Sequence, residues 1–323
     1  MYIKPSFYDN FCCKADKCTD TCCAGWEVDI DDVSLEKYRS VQGDMKHRLN
    51  SSIIEVDGQS CFKLDKKGRC CFLSENGLCD IYSSLGEDYL CDICKEHPRF
   101  YDEFDGITQC GLGLCCEKVC EMLIEYDTVA YCRDFEYSDI PEDTQILLET
   151  RDDMFDILSD RTKSLECKIS DLIDYAVRAE SELFGEESEI ISFADKKTAI
   201  EQVLYLYGNT EPIDNLWTEY LHSLNNNFPA IVACNYIPDF TLYEKLISYI
   251  IYRHFMNCRF DGKIYNVVCF SVCAVIFIYT SECFTFVKNG VVSENDRINA
   301  IKRWSQQIEY SQQNTDMCLT SDK

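Results

Sequence analysis

Cysteine carries the most distinctive chemistry in this sequence. The chain has 323 residues and 23 cysteines, and 16 of these lie between Cys12 and Cys132. A thiolate is both a nucleophile and a soft metal ligand. Disulfides are rare in a reducing compartment, so dense cysteines in a cytosolic protein predict metal binding or catalysis. The remaining seven cysteines lie in apolar helical sequence and are better explained as core residues.

The cysteines of the N-terminal part fall into four groups. These are FCCKADKCTDTCCAGW from Phe11, CFKLDKKGRCCFLSENGLC from Cys61, CDICKEHPRF from Cys91 and CGLGLCCEKVC from Cys110. Cys18 and Cys22 are one helical turn apart, as are Cys116 and Cys120, so a short helix could point each pair at one metal. The spacing of the cysteines is compatible with either a zinc site or an iron–sulfur cluster. The two separated CxxC pairs of a zinc ribbon are missing, which favours an iron–sulfur cluster.

Composition and charge narrow the class of protein. The chain is 46% hydrophobic and 13% aromatic, as expected of a packed globular protein. Its net charge of -26 would repel a nucleic-acid backbone and attract a cation, such as a lysine side chain or a sulfonium ligand. The N-terminus lacks a secretory signal pattern, and the apolar run 267–280 is shorter than the roughly 20 residues that cross a bilayer. We expect a cytoplasmic protein without membrane contact, in which this run is a buried core helix.

The dense cysteine groups end near residue 132, where the sequence becomes polar and Pro141 breaks any helix. This change predicts two domains, a loop-rich, cysteine-rich metal-binding domain over 1–132 and an all-helical domain over 133–323. The predicted fold class is mainly α. Apolar periodicity predicts helices over 144–160, 164–183, 192–207, 241–258, 267–284 and 293–313. The last of these begins with Ser293, which suits an N-cap.

Several common enzyme signatures are missing from the sequence. No strand–GxGxxG–helix element occurs, because Gly111 and Gly113 lie inside a cysteine group, so a Rossmann-type dinucleotide or methyltransferase fold has no support. The P-loop, GxSxG and HExxH motifs are also missing. With four histidines in the chain, catalysis based on histidine has few candidates.

Three stretches of the sequence resemble the flagellin lysine-N-methylase family, which is related to CxxCxxCC-type zinc- or iron-chelating domains. They are FCCKADKCTDTCCAGWEVDID, CCFLSENGLCDIYSSLGEDYLCDICKEHPRF and CGLGLCCEKVCEMLI, with weaker likeness in YEKLISYIIYRHF and IKRWSQQIEYSQQN. The resemblance implies transfer of a methyl group from S-adenosylmethionine to lysine ε-amines of flagellin, assisted by a 4Fe–4S cluster. Two positions depart from the pattern: His97 replaces an aromatic residue before Pro98, and Tyr310 stands where we expect histidine.

The resemblance also implies a set of metal ligands. The family's cysteine pattern falls on Cys13, Cys18, Cys22, Cys23, Cys71, Cys79, Cys94 and Cys116. The other eight cysteines of the N-terminal part then have no assigned role: Cys12, Cys61, Cys70, Cys91, Cys110, Cys115, Cys120 and Cys132. An iron left open for S-adenosylmethionine would need three protein thiolates. The sequence does not specify which of these cysteines bind the same metal.

Further site residues follow from chemistry together with the resemblance. Arg99 could anchor a cofactor carboxylate, or form a structural salt bridge. Trp26 could stack on adenine, or pack beneath the first cysteine group. A lysine amine is protonated near pH 7 and attacks only when neutral, so a base is needed. Placement on predicted helices and the resemblance suggest Glu309, Tyr252 and Tyr310 as catalytic candidates.

Two hypotheses of other classes compete with the enzyme. In one, a zinc or iron site only folds the N-terminal part, and the helical part docks a protein partner. In the other, the cysteines store or deliver metal. A large helical domain beside the cysteines favours the enzyme, because storage alone does not require it.

Overall fold

The computed structural model describes residues 1–320 apart from Glu27, Asp57 and residues 187–189 and 191–194. The strands are β1 Tyr2–Pro5, β2 Ile53–Val56, β3 Gln59–Phe62, β4 Arg99–Phe104, β5 Ile107–Leu112 and β6 Tyr131–Arg133. The helices are α1 Asp32–Ser40, α2 Asp44–Ser52, α3 Asp80–Leu85, α4 Asp92–Glu96, α5 Glu117–Glu125, α6 Glu142–Ser159, α7 Leu165–Phe184, α8 Lys196–Gly208, α9 Asn215–Asn226, α10 Phe228–Ala233, α11 Phe240–His254, α12 Cys258–Asp261, α13 Ile264–Asn289, α14 Glu294–Gln307 and α15 Gln312–Thr320. The mainly α prediction is confirmed.

The chain forms two compact units. The cysteine-rich unit comprises Asn10–Phe100 and Cys116–Lys118, and the helical unit comprises Met1–Asp9, Tyr101–Cys115 and Val119–Lys323. This division differs from the boundary predicted after residue 132. The reason is strand pairing, because β1 pairs in parallel with β5 and antiparallel with β6, in a sheet of order β4-β5-β1-β6. The sheet thus joins both ends of the predicted N-terminal domain to the helical unit.

Helix α13 is the centre of the helical unit. It contacts α7, α8, α11 and α14, and most of its side chains are buried. By length and composition it could cross a bilayer, yet 89% of its most apolar stretch is buried inside the protein. The apolar run 267–280 is therefore a core helix, as predicted, although the helix of 26 residues is longer than that run.

Most of the predicted helices are present, with two differences. The helix predicted over 293–313 is two helices, α14 and α15, because side chains near the start of α15 bind the last carbonyls of α14. The Asn314 amide donates to the Gln307 carbonyl at 2.9 Å, and the Thr315 hydroxyl donates to the Ile308 carbonyl at 2.7 Å. Ser293 caps α14 as predicted. Helices α9 and α10 were not predicted, and the start of the helix predicted over 192–207 lies outside the described residues.

The cysteine-rich unit has a small core of its own, built on α1–α4 and the β2–β3 hairpin. Buried members of this core include Val28, Tyr38, Leu49, Phe62 and Phe72. Loops carry most of the cysteines, and backbone pairing fixes the loops. The Cys70 amide donates to the Cys23 carbonyl at 2.8 Å. Asp31 caps α1 and also accepts a hydrogen bond at 3.0 Å from the Asp92 amide at the start of α4. These bonds hold three of the cysteine groups in one small volume.

Candidate functional site

A cavity of about 50 Å³ in the cysteine-rich unit gathers cysteines from three of the four sequence groups. Its donor side chains are Cys22, Cys23, Cys70, Cys79, Cys91, Cys94 and His97. Apolar side chains, among them Val28, Phe62 and Phe72, form the rest of its wall. Soft sulfur donors inside an apolar shell are typical of thiolate-ligated metal centres.

Backbone amides donate hydrogen bonds to several of these sulfurs. The Cys79 sulfur accepts from the amides of Ile81 and Tyr82, at the start of α3. The Cys70 sulfur accepts from the Phe72 amide, and the Cys91 sulfur from the Cys94 amide. Bonds of this kind stabilise a thiolate and tune the potential of an iron–sulfur cluster. Burial nevertheless raises the pKa of Cys79, and the hydrogen bond to Cys71 together with burial raises that of Cys70, whereas the pKa of Cys91 is lowered.

Neighbouring thiols in the cysteine-rich unit share protons. A hydrogen bond from Cys22 lowers the pKa of Cys23 to about 7, although burial opposes the change. A hydrogen bond from Cys70 likewise lowers the pKa of Cys71 to about 6. In the third pair, a hydrogen bond from Cys94 lowers the pKa of Cys91. Since metals bind thiolates, metal binding at these pairs will release protons.

The cavity contains half of the eight cysteines that the sequence predicted as ligands. Cys22, Cys23, Cys79 and Cys94 line it, whereas Cys13, Cys18, Cys71 and Cys116 do not. The helix expected to carry Cys18 and Cys22 is missing, because a short 3-10 turn ends at Lys17 and irregular backbone follows. Burial, together with the charges of Glu117 and Cys116, raises the pKa of Cys18 to about 11.

The described residues form no site for a single metal ion. A structural zinc site needs four donors at about 2.0–2.3 Å from one ion. No three His, Cys, Asp or Glu side chains among the described residues are grouped closely enough to hold one ion. Each thiolate of an iron–sulfur cluster binds a different iron, so its donors are spread around a larger group. Six cysteines line the one cavity described above.

Both residues predicted to bind a cofactor lie in the cysteine-rich unit. Trp26 lines the cavity, donates to the Cys22 carbonyl at 2.8 Å and stacks on the His97 ring with centroids 6.0 Å apart. Burial lowers the pKa of His97 to about 4, so this imidazole is neutral at pH 7. The half-buried Arg99 guanidinium lies 5.3 Å from the centre of the Phe11 ring. Neither observation tests cofactor binding, which stays a prediction for both residues.

The candidate catalytic carboxylate, Glu309, belongs to a buried ionic group of the helical unit. Its carboxylate lies 3.3 Å from the Arg253 guanidinium and 3.0 Å from the His254 ring, and accepts from the Ser305 hydroxyl at 2.6 Å. Burial alone would raise the pKa of Glu309, but Arg253 and the bonds from His254 and Ser305 hold it below its usual value. Glu309 is therefore an ionised counter-charge.

Tyr310 lies beside this ionic group. Arg253 packs 5.4 Å from the centre of the Tyr310 ring, and the Tyr310 hydroxyl lies against Gly113 and hydrogen-bonds with the Cys115 thiol. Burial raises the pKa of this phenol, while 44% of the residue is exposed. Tyr310 is therefore a neutral phenol at pH 7.

Tyr252 has a different environment. It is fully buried, and its hydroxyl lies 2.6 Å from the Cys110 carbonyl and 2.9 Å from that of Ile3, to which it donates. Burial raises its pKa well above 10. These partners attach α11 to strands β1 and β5. A catalytic role for Tyr252 stays a prediction.

Similar proteins were found for part of the chain. Flagellar biosynthetic protein FliU of Salmonella muenchen is 26% identical over 132 residues, which cover 38% of this chain and 75% of FliU. The lysine-N-methylases of Salmonella choleraesuis strain SC-B67 and Salmonella typhimurium strain LT2 show the same identity over the same length. Over this stretch the chain is similar to the lysine-N-methylases. The match spans 32% of each of those two enzymes. No protein-family model and no solved structure matches.

The lysine-N-methylase resemblance drawn from the sequence is thus confirmed, and the structure adds residues that it did not assign. Cys70 and Cys91 line the cavity, although the resemblance gave them no role. Arg253 and His254 surround Glu309, and sequence reasoning did not single them out. A signal was available for Cys91, because Cys91-x2-Cys94 has the spacing of a metal-binding pair. The C-terminal cysteines expected in the core are buried at 258, 269, 273, 283 and 318, half-buried at 234 and exposed at 167.

Proposed function

We propose that the protein is a lysine N-methyltransferase that uses S-adenosylmethionine and a 4Fe–4S cluster, with flagellin as its protein substrate. The observation that carries the proposal is the cavity lined by six cysteines, in a chain related to lysine-N-methylases. The names of the similar proteins, a flagellar biosynthetic protein and a lysine-N-methylase, favour a flagellar substrate and methylation of lysine. The chain's charge of -26 suits a substrate that presents lysine.

The cavity has the properties that an iron–sulfur cluster requires. Its sulfurs accept backbone hydrogen bonds, its wall is apolar, and two of its thiol pairs already share protons. When bound, such a cluster supplies iron that can accept the amino and carboxylate groups of S-adenosylmethionine. Trp26 and Arg99 are the residues of this unit that we propose for the adenine and carboxylate of that cofactor.

The helical unit offers a polar group suited to an amine. A neutral phenol cannot take the lysine proton at pH 7, but its oxygen can accept a hydrogen bond from the neutral amine. We therefore assign Tyr310 to orienting the amine, while the buried Glu309 holds Arg253 and His254 in place. The proton leaves to solvent before the amine attacks the methyl group, and the carbon–sulfur bond breaks as the carbon–nitrogen bond forms.

Anaerobic purification followed by metal and sulfide analysis tests the proposal. We expect about four iron and four sulfide per chain with broad visible absorption, binding of S-adenosylmethionine, and methylated lysines on flagellin by mass spectrometry. A colourless zinc protein that binds no S-adenosylmethionine would indicate the interaction module instead. Protein that contains iron and sulfide but neither binds S-adenosylmethionine nor methylates flagellin would overturn the methyltransferase proposal.

Gly113→Ala provides a test of Tyr310. A Cβ at this position would overlap the Tyr310 hydroxyl, so the phenol must move. Because a shift of about 1 Å can cost on the order of 100-fold in rate, we expect methyl transfer to fall by about that factor while iron content stays unchanged. Gly208→Ala in α8 is the matched control, since nothing lies within 4 Å of its added Cβ. Equal rates for the two variants would remove Tyr310 from the reaction.

A further inference from the structure

We propose that Cys234 and Cys283 of the helical unit form an oxidation site for peroxides, in which Cys234 reacts first and a disulfide to Cys283 then forms. Sequence context predicts core positions for both cysteines, and both are free thiols in the structure. They belong to the same compact unit and lie outside the four cysteine groups of the N-terminal part. The site requires neither a metal nor S-adenosylmethionine, so it is independent of the proposed function.

The backbone around Cys234 is fastened to helix α13. Cys234 directly follows α10, and α10 packs on α13. The Tyr236 hydroxyl donates to the Glu282 carboxylate at 3.0 Å, and the Tyr236 ring stacks on that of Tyr279 with centroids 6.3 Å apart. Glu282 immediately precedes Cys283, and Tyr279 lies one helical turn before it. These contacts bring the two cysteines together, and the Cys283 thiol hydrogen-bonds with the Cys234 sulfur.

A lysine ammonium lies beside Cys234. Lys196, the first residue of α8, places its Nζ 2.9 Å from the Cys234 carbonyl oxygen and 3.7 Å from the Cys234 sulfur. The same Nζ lies 5.2 Å from the centre of the Tyr279 ring, so contacts on two sides fix its position. A neighbouring cation stabilises the thiolate of a cysteine, and the thiolate is the form that peroxides oxidise. Cys234 therefore has the environment of a peroxide-reactive cysteine.

Exposure separates the roles of the two cysteines. Cys234 is half-buried, so a small peroxide can reach its sulfur, whereas Cys283 is completely buried. Burial raises the pKa of Cys283 to about 12, so Cys283 is a neutral thiol at pH 7. Cys234 is thus the cysteine that meets the peroxide, and Cys283 is the one that converts the oxidised product into a disulfide.

The oxidation takes place in two steps. The Cys234 thiolate attacks one oxygen of hydrogen peroxide, the oxygen–oxygen bond breaks and a sulfenic acid forms, while hydroxide leaves and combines with the proton that the thiol released. The Cys283 sulfur then attacks the Cys234 sulfur and the sulfur–oxygen bond breaks, and the departing hydroxide takes the Cys283 proton to give a second water. The two cysteines together lose two electrons, which the peroxide accepts.

Treatment of the full chain with hydrogen peroxide tests the site. The protein is reduced, desalted, exposed to less peroxide than protein, alkylated, digested and analysed by mass spectrometry. We expect the peptides of Cys234 and Cys283 to be joined with the loss of two hydrogens, and dithiothreitol to separate them again. If both cysteines remain free thiols while the exposed Cys167 is oxidised, the proposal is overturned.

Adjacent lysines give a matched pair of variants. Lys196→Gln removes the charge beside the Cys234 sulfur, whereas Lys197→Gln changes the next, exposed residue of α8. We expect joining of the two cysteines to slow by about tenfold or more in Lys196→Gln, because less thiolate is present, and to keep the wild-type rate in Lys197→Gln. Equal rates in the two variants would show that the ammonium does not activate Cys234.

Cys234→Ser tests the order of the two steps. At the peroxide level that joins the two cysteines in wild type, we expect Cys283 to stay a free thiol in this variant. Oxidation of Cys283 without Cys234 would overturn the assigned roles. Circular dichroism checks that the variant folds. The wild-type peptide analysis and the lysine variants need no cysteine substitution, so they decide the proposal even if Cys234→Ser does not fold.

Discussion

Cys23→Ala is expected to leave the protein without a stable cluster and without methyl transfer. Cys23 is the cysteine shared by the cavity pairs, since it lies beside Cys22, Cys70, Cys79 and Cys94. The hydrogen bond from Cys22 also lowers its pKa to about 7, so it is ready to bind metal as a thiolate near neutral pH. Bound iron should fall from about four per chain to less than one, measured after anaerobic loading.

Cys12→Ala is the control for this prediction. Cys12 belongs to the same sequence group but is exposed and lies outside the cavity. It should keep wild-type iron, sulfide and methyl transfer. Circular dichroism of the metal-free variants must agree with wild type, because Cys23 also packs against the small core of its unit. Full iron content in Cys23→Ala would exclude the cavity as the cluster site.

The sequence predicts that cysteines gather in the N-terminal part, whereas it could not predict which of them line one cavity. Which member of a Cys-Cys pair faces inward depends on the strand, because consecutive side chains point to opposite sides of extended backbone. The resemblance includes Cys71 and leaves Cys70 without a role, whereas Cys70 lines the cavity and Cys71 does not.

The helices could be predicted from the sequence, whereas the pairing of the strands could not. The helices α6, α7, α11 and α13 begin and end within a few residues of their predicted limits, because apolar periodicity is local information. The four-stranded sheet was not predicted, since β1 and β6 have four and three residues. Its pairing joins Ile3 with Gln109 and Arg133, more than 100 residues away. The predicted domain boundary follows the drop in cysteine density near residue 132, whereas the two compact units of the structure follow the strand pairing.

The catalytic candidates show what periodicity cannot resolve. Tyr252, Arg253 and His254 are consecutive on α11, so they point in different directions. Tyr252 binds carbonyls of β1 and β5, whereas Arg253 and His254 bind Glu309. Two of the three predicted catalytic residues, Glu309 and Tyr310, thus share one group, and the third supports the sheet. Only the placement of residues 309–310, which follow α14, beside Arg253 and His254 of α11 separates these roles.

Glu309→Ala is expected to destabilise the protein by about 3–5 kcal/mol, since it leaves buried cationic and polar partners uncompensated. The Glu309 side chain is 1% exposed. Its removal leaves the Arg253 guanidinium, whose side chain is 14% exposed, without this counter-charge. Urea unfolding of the metal-free protein measures the loss. Glu201→Ala, an exposed glutamate on α8, should change stability by less than about 0.5 kcal/mol. A loss of stability below about 0.5 kcal/mol in Glu309→Ala would contradict the role of Glu309 as a structural counter-charge.

The same group predicts how stability changes with pH. The folded pKa of Glu309 is lowered, so its contribution is complete above the ordinary value of 4.5 and is lost as pH falls through the folded value. Burial also lowers the pKa of His254 from 6.5, so the unfolded chain takes up a proton first and stability declines below about pH 6.5. Urea midpoints should therefore fall toward acid in wild type, and the part of this fall that occurs below about pH 4.5 should be smaller in Glu309→Gln.

Glu309→Gln also separates positioning from catalysis, because glutamine keeps the shape of the side chain and removes its charge. If Glu309 acts as a counter-charge, stability and methyl transfer should fall together in this variant, and assays at temperatures well below its melting point should recover most of the rate. A folded, cluster-loaded Glu309→Gln that remains inactive at low temperature would instead show that the carboxylate itself takes part in the reaction.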